Sequence, residues 1–237
     1  MSLARYYYPD EDTIEIGIDE VGRGPMFGSV YCSAVILPKN NTFEHKLMKD
    51  SKKFHSKKKI EAASEYIKKH ALNYSIAFED ENCIDNINIK NATHNAMHKA
   101  IKDLLNNIGF FEKSNNKFLN KKFIILVDGR DFKPFTYLDS IEEIIKEIPC
   151  ICIEGGDNKY TSIAAASILA KVERDNYISE LCRQYPKLDE YYDLLKNKGY
   201  GTAKHMEGLK KYGISKWHRK SYGICKELNI NNSIIDY

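Results

Sequence analysis

The chain has 237 residues, 43% of them hydrophobic and 29% charged, with a formal net charge of +3. That suffices for one well-packed domain, or for a domain with a small appended lobe. No apolar run approaches the roughly 20 residues of a membrane span, and residues 1–12 lack the apolar core of a secretion signal, so a cytoplasmic protein with no membrane partner is expected. Six cysteines form no Cys-x-x-Cys pair and read as reduced thiols.

Residues 13–18 alternate polar and apolar, with Ile14, Ile16 and Ile18 on one face, as in a half-buried strand. Asp19 and Glu20 follow at once. Consecutive side chains on a strand point to opposite faces, so the pair is expected to share a ligand only if the strand ends there, turned by Gly22 and Gly24. Two acids beside a backbone free of side chains suit a hard metal ion and a closely approaching substrate. Further strands are expected at 28–37, 72–78, 122–128 and 149–153, rich in Val, Ile, Phe, Tyr and Cys. Ser56 is placed to cap a helix carrying Ile60, Ala63, Ile67 and Ala71. A second helix from about Ala92 sets Ala96, Met97, Ala100, Ile101, Leu104 and Leu105 on one stripe. A third, begun by Asp139 or Ser140, carries Ile141, Ile144, Ile145 and Ile148 at helical spacing. Small residues in 161–170 let a helix lie close against a sheet. Thr202 and Gly213 read as the N-cap and stop of a last helix. The pattern predicts an α/β fold, a mixed sheet with helices on its faces and a helical C-terminal extension. The division expected is residues 1–185 as core and 186–237 as a helical region completing the substrate site.

Two more strands end in acids. Residues 124–128 finish at Asp128, followed by Gly129, and residues 150–153 leave through Gly155 and Gly156 to Asp157. Ligand sites in open α/β sheets form beside such ends. Four carboxylates without thiolate or imidazole partners point to magnesium or manganese rather than zinc. His94 and His98 stand four apart but lack the intervening Glu and a third ligand, and read as surface histidines. Nine lysines fall in residues 46–69, and seven basic residues in 198–220 interleave with Tyr200, Tyr212, Trp217 and Tyr222. Basic patches with aromatic side chains suit the phosphates and bases of nucleic acid.

Taken in order, Gly17-Ile18-Asp19-Glu20-Val21-Gly22-Arg23-Gly24-Pro25, Asp50-Ser51-Lys52-Lys53, Val127-Asp128-Gly129 and Gly156-Asp157 resemble type 2 ribonuclease H (ribonuclease HII). Residues 163–172 with Arg174-Asp175, Lys198-Gly199-Tyr200-Gly201-Thr202 and His218-Arg219-Lys220-Ser221-Tyr222 extend the resemblance to residue 222. The resemblance implies a ribonuclease-H-like five-stranded mixed sheet, with two Mg2+ or Mn2+ ions held by Asp19, Glu20, Asp128 and Asp157. It implies that Gly22, Arg23 and Gly24 reach the ribose 2′-hydroxyl, mainly through backbone, and that Tyr200 stacks on the sugar that follows. The substrates implied are RNA/DNA hybrids and DNA duplexes containing ribonucleotides, cut to leave 3′-hydroxyl and 5′-phosphate ends, as in ribonucleotide excision and RNA primer removal.

The residues carry part of this unaided. Only a glycine-framed backbone comes within hydrogen-bond reach of a groove-buried sugar, and the 2′-hydroxyl tells RNA from DNA. Ser51 and Lys52 offer a hydroxyl and an ammonium to phosphates, and Asn88 offers a further amide to the substrate backbone. Two departures stand out: Met26-Phe27-Gly28-Ser29, where small residues and a second proline are usual, and Gly155, where a basic residue often precedes the final Gly-Asp. The rival readings are a type 3 enzyme, which reads single ribonucleotides poorly, and a hybrid-binding module without catalysis. A monomer is expected, and residues 228–237 show no motif for a sliding-clamp partner.

Overall fold

Alternating isoleucines and a run of β-branched residues build the first two strands, β1 (Thr13–Val21) and β2 (Val30–Ile36). The computed structural model describes residues 2–112, 118, 121–139 and 142–234. Helix α1 (Lys57–His70) starts where Ser56 accepts the Lys59 N–H, and β3 (Asn73–Glu79) follows. Helix α2 (Glu81–Asn107) begins earlier than its apolar stripe and is broken at Asn88, whose φ of 66° and ψ of 162° are not helical. Next come β4 (Lys122–Asp128), β5 (Phe135–Asp139), β6 (Ile144–Ile148) and β7 (Cys150–Ile153). The remaining helices are α3 (Thr161–Gln184), α4 (Lys187–Tyr192), α5 (Leu194–Asn197) and α6 (Ala203–Tyr212), the last capped by Thr202 and ended by Gly213.

Five strands form one mixed sheet in the order β3-β2-β1-β4-β7, with β1, β4 and β7 parallel. Two expectations need correction. The helix expected after Asp139 is a second strand: β5 and β6 pair as an antiparallel hairpin, with Leu138 opposite Ile145. The isoleucine spacing is helical, but Ile144 and Ile145 are exposed and only Ile148 is buried, so no apolar stripe is covered. The β-branched side chains suit the strand that results. Ser140 and Ile141 lie outside the described residues. The second correction is small: β1 takes in both Asp19 and Glu20 and ends one residue beyond the pair, at Val21, just before Gly22.

The chain gathers into two compact units. One comprises residues 1–20, 32–77 and 94–172, the other 21–31, 78–93 and 173–237. In the first, Ile14, Ile16, Ile18, Ile125 and Val127 pack with Ala96, Met97, Ala100, Ile101, Leu104 and Leu105 of α2 on one face of the sheet. On the other, Val35 and Leu37 pack with Ile60, Ala63 and Ile67 of α1 and Ala164, Ala165, Ile168 and Leu169 of α3. Helix α3 lies so near β1 that a Cβ on Gly17 would stand 2.3 Å from the Ser162 carbonyl carbon. In the second unit, Met26, Phe27, Ile178, Leu188, Tyr192, Leu194 and Leu209 form the core. Phe27 is fully buried there, so the unusual 26–29 segment serves as core packing. No helix among the described residues is long and apolar enough to cross a membrane.

Candidate active site

Parallel pairing puts Ile18 opposite Val127, and both side chains join the α2-facing core. One residue further on, Asp19 and Asp128 therefore stand level on neighbouring strands and turn to the opposite face. Asp128 in turn pairs with Ile153 at the end of β7. From there Gly155, in the left-handed region at φ 60°, and Gly156 lead the chain to Asp157. The Gly156 N–H donates to Asp128 Oδ1 at 2.6 Å. A side chain at Gly156 would meet Ile163 Cδ1 at 2.6 Å, so it would have to displace the buried Ile163 to keep this N–H on the carboxylate.

Asp19 is buried, and its Oδ1 accepts the Glu20 N–H at 2.7 Å. Burial pushes its carboxyl well above the usual carboxylate range. The Glu20 and Asp128 charges add to the rise, against a hydrogen bond from the Ser167 side chain. Asp157 is raised for the same reasons, first burial, then Asp128 and Asp50, with Lys52 and a bond from Asn158 acting against them. Glu20 is half-exposed. Asp128 thus stands close enough to act on both Asp19 and Asp157. Among the described residues no three His, Cys, Asp or Glu side chains stand together in a way that could hold a metal ion.

The 50–53 segment borders these acids. Asp50 caps its own turn through the Lys52 N–H at 2.8 Å, and its Oδ2 accepts Asn158 Nδ2 at 3.3 Å. The same Asn158 amide donates to Asp157 Oδ1 at 3.0 Å, and Lys53 Nζ donates to Asn158 Oδ1. Ser51 is buried, its hydroxyl 3.0 Å from that of Ser167, while Lys52 is exposed. Sequence reasoning did not pick out Asn158 or Ser167, which hold two of the acids; their positions beside Asp157 and on the small-residue face of α3 were the available signals.

The second unit holds the glycine loop. Gly22 has φ of 93°, and a Cβ there would stand 2.3 Å from Arg174 Nε. Arg174 is buried and donates to the carbonyls of Ser29, Lys198 and Phe27; desolvation, reinforced by Arg219, brings its guanidinium down to about 10. Arg219, also fully buried, donates to the carbonyls of Gly28, Arg23 and Gly22. Arg23 and Gly24 are exposed. Tyr200, 48% exposed, lies over Gly24, where a Cβ would be 3.3 Å from its Cε1. Arg219 thus grips the loop itself, while Arg174 braces the residues that follow it. Asn88, at the break in α2, accepts the Asn91 N–H at 3.1 Å.

The sequence profile of the family described as ribonuclease HII matches residues 16–225. Ribonuclease HII of Bacteroides thetaiotaomicron is 38% identical over 226 residues, covering 94% of this chain and 98% of that one. The crystal structure of ribonuclease H2 from Pyrococcus horikoshii OT3 has the same fold, with a TM-score of 0.65 at 22% identity over 94% of this chain and all of that one. Bst-RNase HIII, solved in complex with Mn2+, aligns with a TM-score of 0.56 at 18% identity, covering 84% of this chain and 70% of that one. Strand-end acids, glycine loop and full-length likeness agree, and the chain belongs to the ribonuclease HII family of metal-dependent endoribonucleases.

Proposed function

We propose that this enzyme cuts on the 5′ side of ribonucleotides embedded in duplex DNA and at RNA–DNA junctions, leaving a 3′-hydroxyl and a 5′-phosphate. The observation that carries the reading is the grouping of Asp19, Asp128 and Asp157 at and just beyond neighbouring strand ends, where burial and then the charge of Asp128 raise the carboxyls of Asp19 and Asp157. Hard carboxylate oxygens fit Mg2+ or Mn2+, and a buried carboxyl raised by neighbouring acids is one that a divalent cation returns to its ionised form. Asp19, Glu20, Asp128 and Asp157 would hold two such ions, which supply Lewis acidity for in-line hydrolysis of a phosphodiester.

The chain's own groups orient what those acids bind. Gly156 N–H fixes Asp128, the Asn158 amide fixes Asp157, and Ser167 holds Asp19 with Ser51 behind it. Lys52 offers its ammonium to a phosphate, and Asn88, whose carbonyl oxygen caps α2, keeps its amide hydrogens for another. Backbone N–H groups of the 22–24 loop address the 2′-hydroxyl, and the Tyr200 ring packs on the following sugar. Val21 alone separates Glu20 from Gly22 in the sequence. The test is incubation with Mg2+ and a labelled duplex bearing one ribonucleotide. A single cut 5′ to the ribonucleotide is expected; cleavage confined to long RNA/DNA hybrids would overturn the reading in favour of type 3 behaviour.

A further inference from the structure

Two buried imidazoles stand behind Tyr200 in one hydrogen-bonded row. The Tyr200 carbonyl oxygen is 2.9 Å from His205 Nδ1, and His205 Nε2 is 3.0 Å from His218 Nε2. His218 Nδ1 is 2.9 Å from the Ser215 backbone nitrogen and 2.7 Å from its hydroxyl. The two ends of the row determine every proton within it. A backbone N–H can only donate, so His218 Nδ1 is an acceptor and its ring is neutral, with the proton on Nε2. That proton goes to His205 Nε2, which must accept. The His205 proton is then on Nδ1, where the Tyr200 carbonyl, an acceptor only, receives it. No other placement of protons on the two rings satisfies all three contacts.

Both rings are fully buried. His218 is packed edge-on by Phe27 and Tyr192, at centroid distances of 5.0 and 4.7 Å. Burial holds both imidazoles below their ordinary pKa, His218 furthest, with His205 as its second cause. The Tyr200 side chain needs such an anchor. Its ring is half in solvent, and it is flanked by Gly199, at φ 86°, and Gly201. The Thr202 N–H also binds the Tyr200 carbonyl, at 2.8 Å, but closes only the local turn. His205 links that turn to the 215–218 segment.

We propose that His205 and His218 are positioning residues for Tyr200: by holding its carbonyl oxygen they set the ring against Gly24 and so set the preference for deoxyribose after the ribonucleotide. The proposal rests on the stacking role given above to Tyr200. Its test compares cleavage of an RNA–DNA junction and of an all-RNA hybrid by Tyr200→Ala, His205→Leu, His205→Asn and the Tyr200→Ala/His205→Leu pair. Asparagine keeps an N–H near the place of Nδ1; leucine offers none.

The junction preference, as a ratio of kcat/KM values, is expected to fall about tenfold in His205→Leu, the scale of one aromatic stacking contact. It is expected to recover in His205→Asn, and to fall no further when His205→Leu is added to Tyr200→Ala. Full preference in a folded His205→Leu enzyme overturns the proposal, as does a loss that adds to that of Tyr200→Ala. An unchanged preference in Tyr200→Ala overturns the stacking reading instead. Should His205→Leu not fold, imidazole 15N NMR of the wild-type enzyme decides. Protons on His205 Nδ1 and His218 Nε2 support the tether, and the opposite tautomers or a charged ring overturn it.

Discussion

Arg219 Nη2 donates to the Gly22 carbonyl oxygen across 2.6 Å, in a buried contact between residues 197 positions apart. Its Nη1 reaches the Arg23 carbonyl at 3.0 Å, so one side chain orients two successive peptide planes. In a trans peptide the carbonyl and the next N–H point in opposite directions, and the described residues contain no cis bond. The N–H groups of Arg23 and Gly24 therefore face away from Arg219. Arg219→Lys keeps the charge and loses the fork. We expect kcat/KM on a duplex with one ribonucleotide to fall by at least about tenfold, the scale of one charged hydrogen bond. Affinity for plain DNA duplex at matched salt should stay unchanged, and steady-state kinetics with a binding titration checks both.

Gly22 and Gly24 are not equivalent, although the sequence frames Arg23 with both. Alanine at Gly22 would adopt φ of 93° and drive its Cβ to 2.3 Å from Arg174 Nε, a side chain held by three carbonyls. At Gly24 the obstacle is the edge of the Tyr200 ring at 3.3 Å, and an exposed ring can move. Gly22→Ala should therefore lower stability by about 1–3 kcal/mol or more, and Gly24→Ala by less than about 1 kcal/mol. Urea denaturation of the two variants reads the difference.

For Asp19, stability and catalysis pull apart. Its folded carboxyl is raised, by burial first and by Glu20 and Asp128 next. The folded state thus holds this proton more tightly than the unfolded chain. The stabilisation is present below the unfolded value of about 4 and is lost as pH rises through the folded pKa. At neutral pH the ionised group opposes folding. Asp19→Asn should abolish cleavage yet raise Tm in EDTA at pH 7.5, and should lose much of the Tm increase that Mg2+ gives the wild type. Thermal denaturation with and without Mg2+ measures all of this except cleavage. A lower Tm for the variant in EDTA would contradict burial as the dominant cause.

Much of this site was legible because its chemistry is local in sequence. The Asp19-Glu20 pair, the strand ends at Asp128 and Ile153, and the Thr202 and Gly213 bounds of α6 are each written in a few adjacent residues. What escaped is long-range. Arg219 reaches Gly22, and Ser167 bonds both Ser51 and Asp19, but no periodicity announces a contact across more than a hundred residues. The hairpin at 135–148 escaped for another reason. Ile141, Ile144, Ile145 and Ile148 have helical spacing, and the mistake shows only once Ile144 and Ile145 are seen exposed and paired in a ladder. Periodicity marks a stripe, but whether anything covers the stripe is decided by the tertiary fold.

The lysine-rich segment after β2 lines a groove of about 870 Å3 with Arg5, Lys46, Lys49 and Lys53 against Glu44 and Asp50. Four cations against two acids in its lining suit the phosphates of a duplex strand. The Lys46→Glu/Lys49→Glu pair should weaken duplex binding equally for all sequences. It should also reduce the slope of log K against log salt by about 2, one for each phosphate contact removed. Binding titrations between low and moderate salt supply the slope, and an unchanged value would remove the groove from the duplex path.

The histidine row also gives acid sensitivity a definite sign. Burial keeps His205 and His218 below their ordinary pKa when folded, whereas in the unfolded chain both protonate near pH 6.5. Below that pH the unfolded state binds more protons, so this contribution is full above about pH 7 and is lost as pH falls. Two such groups give a slope of at most about 2.7 kcal/mol per pH unit. Asp19 and Asp157 act in the opposite sense, since their folded carboxyls are raised. Comparing wild type with the His205→Asn/His218→Gln pair cancels the acids, which both proteins share. Unfolding free energy from urea titrations at pH 7.5 and 5.5 should fall more steeply in the wild type. Parallel slopes would mean that the two imidazoles bind as many protons folded as unfolded, which the Ser215 N–H on His218 Nδ1 and the shared Nε2 contact do not permit.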